Sequence, residues 1–74
     1  QGDVETTRDA VERLLREDGC RESAHRLLMR CLAEQGQCAL VARQFRRCAD
    51  TLARELDVRP SAETVRLYHQ LTGS

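Results

Sequence analysis

Four cysteines and two histidines are the side chains of this sequence best equipped to ligate a metal, close a disulfide or supply a nucleophile and its base. Cys20, Cys31, Cys38 and Cys48 contain no C-x-x-C pair, the spacing that zinc and dithiol sites commonly use. Cys31 and Cys48 fall at apolar positions of helical patterns, where a free cysteine acts as a small hydrophobe. Buried reduced thiols are the favoured reading, ahead of a disulfide and of a zinc cluster, and no metal or cofactor is expected. A nucleophilic pair would draw Cys31 or Cys38 together with His25 or His69. Nothing supplies a Gly-rich oxyanion loop or a third orienting group. His25, at an early turn of a helix, reads as a half-buried structural residue. G-x-x-x-x-G-K and G-x-G-x-x-G are both absent, so no phosphate cradle is expected. No catalytic residue is assigned, and the chain is not expected to be an enzyme.

The arginines offer binding chemistry instead. The 12 basic and 12 acidic residues cancel, so the summed field gives no pull toward nucleic acid or an anionic membrane. Two local stripes stand out. Ser23, Arg26, Arg30 and Glu34 share one helix face, and arginines one turn apart can hold a carboxylate or an acidic peptide. These four form a candidate partner-binding groove. The competing reading is that Arg26 and Arg30 pair with Glu22 and Glu34 on their own helix, at a few tenths of a kcal/mol each. Arg43, Arg46, Arg47 and Arg54 form a second stripe suited to phosphate contacts. Asp50 interrupts it, and Phe45 and Tyr68 are the only aromatics, so no base-stacking platform accompanies it. Solvated surface is favoured there, with auxiliary DNA contact as the alternative.

Positioning these stripes falls to helices. The 74 residues suffice for one domain, whose core contributes about 3–5 kcal/mol of net stability. No apolar stretch of about 18 residues and no signal-peptide pattern occurs, and Gln1 is not an initiator Met. A soluble piece of a larger protein is expected. Helical periodicity predicts four segments and no strand. The first spans about 5–17, with Ala10, Val11, Leu14 and Leu15 as its apolar stripe, and stops at Asp18 and Gly19. The second spans about 22–35, with Ala24, Leu27, Leu28, Cys31 and Leu32 inward and Gly36 as its cap. The third spans about 38–56 through Val41, Phe45, Cys48, Leu52 and Leu56. Pro60 and Ser61 then end one helix and cap the next, about 62–71, which presents Thr64, Leu67, Tyr68 and Leu71.

An internal repeat ties the segments together. A shift of 34 residues places Thr7, Val11 and Leu14 on Val41, Phe45 and Cys48, and one of 39 places Leu28, Met29 and Leu32 on Leu67, Tyr68 and Leu71. Helical hairpins repeating at about 34 residues have the tetratricopeptide period. The expected architecture is all-α, a single partial tetratricopeptide-like domain over residues 1–74, with antiparallel hairpins in a right-handed stack. The unpaired side of the first helix, around Val4, Ala10 and Leu15, would face neighbouring repeats or a second copy of the chain.

Two blocks also carry a family resemblance. HRLLMRCLAEQGQ from His25 to Gln37, and LARELDVRPSAETVRLYHQL from Leu52 to Leu71 with Phe45 and Cys48 ahead of it, resemble the bacterial transcriptional activator domain. That domain is the tetratricopeptide-like module of antibiotic-pathway regulators and related large regulators. The match covers about Ala10 to Leu71. Asp57 stands where the family usually has Gly, and Val41 where the repeat prefers Ala. The resemblance implies a regulatory module acting in the cytoplasm through protein contacts: the parent's other domains, a second copy, or RNA polymerase. DNA would be read by a separate winged helix-turn-helix domain that this chain lacks. No membrane association is implied.

Overall fold

Four stretches whose apolar side chains recur every three or four residues become helices. The computed structural model describes residues 4–73, with side chains from residue 6 onward. In chain order these are α1 (Val4–Glu17), α2 (Glu22–Glu34), α3 (Cys38–Leu56) and α4 (Ala62–Thr72). No strand occurs among the described residues. Connections this short turn each helix back along its predecessor, giving antiparallel neighbours.

α2 is the hub. It packs against α1, α3 and α4, and α4 also rests on α3, while α1 and α3 have no close backbone approach among the described residues. This is an all-α, tetratricopeptide-like order of contacts, with consecutive helices paired and α2 lying beside α4. The core joins Val11 and Leu15 of α1 to Ala24, Leu28, Met29 and Leu32 of α2, Val41 of α3 and Leu67 of α4. Burying each large member stabilises the fold by about 1.5–3 kcal/mol. Val41, a departure from the small residue expected there, is fully buried. Phe45 and Tyr68 stack at 4.3 Å between ring centroids where α3 meets α4.

The termini follow local backbone rules. Gly36 adopts φ +73°, letting the Gln37 N–H reach the Leu32 carbonyl and the Gly36 N–H reach that of Ala33. That left-handed turn closes α2 with paired carbonyls. Asp57 does the same for α3 at φ 56°, a left-handed position that aspartate tolerates less easily than glycine. Ser61 caps α4 by accepting from the Thr64 N–H at 3.4 Å.

Several expected core positions are corrected. Leu14 is 41% exposed and Ala10 is exposed too, because α1 packs closely against one helix among the described residues and buries a narrow stripe, Val11 and Leu15. Leu15 therefore faces the core and not an unpaired side; the side chain of Val4 lies outside the described residues. Leu56, the last residue of α3, is 57% exposed. The 34-residue register also fails, since it equates exposed Leu14 with fully buried Cys48. Burial instead matches Val11 with Gln44 and Leu15 with Cys48. The 39-residue register holds, and it also equates two buried polar residues, His25 and Thr64.

Candidate functional site

The first stripe divides on folding. Ser23, Arg30 and Glu34 remain exposed on α2, and Leu27 lies among them at 40% exposure. The Arg26 side chain is only 16% exposed, with its Nε 3.7 Å from Glu63. Its terminal nitrogen donates to Thr64 Oγ1 at 2.9 Å. Arg26 thus serves the joint between α2 and α4: its ion pair is with Glu63 of the neighbouring helix, while its charge also acts on Glu22 of its own.

That joint is a polar clasp. One oxygen of Glu22 accepts from the Ser61 backbone N–H and from the Thr64 hydroxyl, each at 2.8 Å. Burial pushes the Glu22 carboxyl up, but the bonds from Ser61 and Thr64 and the nearby Arg26 charge hold it below its ordinary 4.5. Thr64 is fully buried, so its hydroxyl is satisfied within the protein. Glu22 and Thr64 were not singled out in the sequence as functional. The 39-residue match of Thr64 with His25 was the available signal.

His25 is 3% exposed and ties the α1–α2 turn to α3. Its Nε2–H donates to the Gly19 carbonyl at 2.7 Å, and its Nδ1 accepts from Gln44 Nε2 at 2.8 Å. A carbonyl only accepts, so these bonds require the neutral Nε2–H tautomer. Burial lowers the imidazole pKa below 6.5, the Gly19 bond raises it, Arg47 lowers it and Glu22 raises it, with a net lowering. A neutral, enclosed ring of this kind is a structural strut. Gln44, spaced four residues from Leu40 and from Cys48, was legible as an inward position and was not singled out.

The cysteines are scattered and all free. Cys31 and Cys48 are buried, and burial pushes both thiols up, that of Cys48 to about 11. Cys20 is half-buried and Cys38 exposed, so the reading as buried thiols holds for two of the four. Among the described residues no group of three or more His, Cys, Asp or Glu is placed to hold a metal ion.

The second stripe also divides. Arg43, Arg46, Arg47 and Arg54 are all exposed, as is Asp50. Arg43, Arg47 and Arg54 line the space between α3 and α1, whereas Arg46 does not. Arg54 pairs with Glu55 at 3.8 Å, and Arg47 donates to Gln44 Oε1 at 3.5 Å. The space is a trough with α2 as its floor, including concavities of about 420 and 370 Å³ that share Leu15, Arg16 and Arg47. No helix among the described residues is long and apolar enough to cross a membrane.

A stack of helical hairpins, with a closed polar clasp and an open trough, places the chain in an all-α class that presents surfaces. The family model of the bacterial transcriptional activator domain matches residues 1–72, and the chain belongs to that family. It is accordingly a domain associated with transcriptional activators, a regulatory family and not a known enzyme family. No curated protein and no solved structure matches the chain.

Proposed function

We propose that the chain is a protein-interaction module of a bacterial transcriptional activator, acting in the cytoplasm. It docks the parent's other domains, a second copy of itself or RNA polymerase, and leaves DNA recognition to a separate winged-helix domain. One observation carries this reading. α2 supports every other helix and yet keeps an open face, where Leu27 is 40% exposed beside Ser23, Arg30 and Glu34. An exposed leucine ringed by polar groups is the makeup of an interface centre and rim. In the whole activator, Leu27→Glu with Arg30→Glu is expected to lower activation of its target promoter at least about tenfold, the effect of about 1.4 kcal/mol of lost binding. Helix content should be unchanged. Full activation by that folded variant would remove the α2 face from the reading.

Auxiliary DNA contact through Arg43, Arg46, Arg47 and Arg54 has their common exposure on α3 in its favour. It predicts binding to random duplex that weakens steeply with salt, by a slope of about −0.9 per phosphate contact. Asp50 within the stripe and the zero net charge favour the protein-facing role.

A further inference from the structure

α1 and α3 lie on the same side of α2 with no close backbone approach among the described residues, and the trough between them is walled by unequal chemistry. Its floor is closed by Leu28 and Leu32 from α2, 1% and 3% exposed, with buried Leu15 and half-buried Leu40 at the sides. Above the floor stand Arg16 on the α1 wall and Arg43 and Arg47 on the α3 wall. Arg16 and Arg43 have no ion-pair partner among the described residues, and Arg47 has only its long bond to Gln44. Of the acids that line the same space, Glu12 is engaged by Arg8 at 3.5 Å, Asp18 by Arg21 at 3.7 Å and Glu55 by Arg54 at 3.8 Å, which leaves Glu17 beside Arg16. Arg16, Arg43 and Arg47 therefore face one another across the trough with more positive charge than the free acid there can balance.

We infer that the α1–α3 trough docks an acidic amphipathic helix, whose carboxylates meet Arg16, Arg43 and Arg47 while its apolar side lies over half-buried Leu40. The inference rests on the reading of the chain as an interaction module, but it assigns a different surface from the α2 face. A helix suits the slot because two neighbouring helices resting on a third leave a groove shaped for a further helix, and helix axes pack about 8–10 Å apart. Paired arginines suit carboxylates, which they hold through two parallel bonds. The charges also set a direction. Glu17, Asp18 and Glu55 gather at the end where α1 stops, so the acidic turn of the occupant lies toward Arg43 and away from Asp18. The same acids oppose a phosphate backbone, whose charge is unbroken along its length.

The probe is a fluorescein-labelled helical peptide of about 18 residues, long enough for about five turns, with leucines on one face flanked by glutamates. A counterpart carries lysine at each glutamate. The full 74-residue chain is titrated against each by fluorescence anisotropy. Saturable binding of the glutamate peptide is expected, with at least a tenfold loss in Arg16→Glu/Arg43→Glu/Arg47→Glu and a matching gain for the lysine peptide. Arg16→Gln/Arg43→Gln gives the same direction of loss should the triple reversal not fold. Leu27→Glu/Arg30→Glu, on the α2 face, leaves this binding unchanged, which separates failure of the trough from failure of the interaction reading. Absence of saturable binding, binding that survives the arginine changes in folded protein, or equally tight binding of random duplex DNA would overturn the assignment.

Discussion

Thr64→Val tests whether the clasp between α2 and α4 holds the fold together. Valine keeps the volume of a fully buried threonine and removes its hydroxyl. That hydroxyl donates to the Glu22 carboxylate at 2.8 Å and accepts from the Arg26 guanidinium at 2.9 Å. Each bond has a charged partner, a kind that contributes about 1.5–3 kcal/mol. Glu22 keeps the Ser61 N–H and Arg26 keeps Glu63, so the net loss is nearer one such bond than two, about 2 kcal/mol. For a domain with about 3–5 kcal/mol in hand, that is a large fraction, and it lowers the midpoint of thermal unfolding by about 8–16 °C. Urea melts followed by circular dichroism at pH 7 give the number, and a double-mutant cycle with Glu22→Gln gives the coupling. Acid supplies a second reading. Glu22 titrates below its ordinary 4.5 in the fold, so the unfolded chain takes up the proton first. The stabilisation from Glu22 is whole above that value, shrinks as pH falls and is gone below the folded value; Thr64→Val flattens this slope. A Thr64→Val chain within about 0.5 kcal/mol of wild type, or strictly additive with Glu22→Gln, would refute the clasp.

Four further outcomes follow from local features. His25 is held neutral with a pKa below 6.5, so its stabilisation is full above pH 6.5 and declines on acidification toward the folded value. A folded-state imidazole titrating at or above 6.5 by NMR contradicts this. Gln44→Leu leaves His25 Nδ1 without its donor and should cost about 1–3 kcal/mol in the same melts. Alkylation of the native chain followed by mass spectrometry should modify Cys38 first and leave Cys31 and Cys48 untouched until unfolding, because thiolate fraction and access both protect the buried pair. Asp57→Gly relieves a left-handed residue at φ 56° and should stabilise by up to about 1 kcal/mol; a destabilised variant would show that aspartate makes a compensating contact there.

Helix periodicity was enough to read the four elements, the capping roles of Gly36 and Ser61, and the buried placement of Cys31 and Cys48. It was less informative about which side of α1 is covered. Leu14 and Leu15 are chemically alike, and only the number of helices packed around α1 decides between them. The polar interior was invisible for a related reason. Thr64 was placed with the apolar side of the last helix but without its polar partners, and Glu22 and Gln44 were not singled out as inward; the partners of Glu22 lie 42 and 39 positions away along the chain and come within 2.8 Å only in the fold. The stripe of Ser23, Arg26, Arg30 and Glu34 was drawn from spacing on one helix, which cannot register that α4 claims Arg26. The trough lies between two helices whose backbones do not come close among the described residues, and no single-helix pattern encodes a gap.

That gap has an energetic consequence for the order of unfolding. Among the described residues α1 approaches another helix closely only at α2, whereas α2, α3 and α4 brace one another in a closed triangle. Detaching α1 sacrifices one interface and leaves three intact, so it is the least expensive partial opening available to the molecule. In native-state hydrogen exchange the amides of α1 should trade protons through such an excursion well before those of α2. In the detached state the hydrophobic flank of α2 around Ala24 and Leu28 is bared, a transient sticky surface that the closed form conceals.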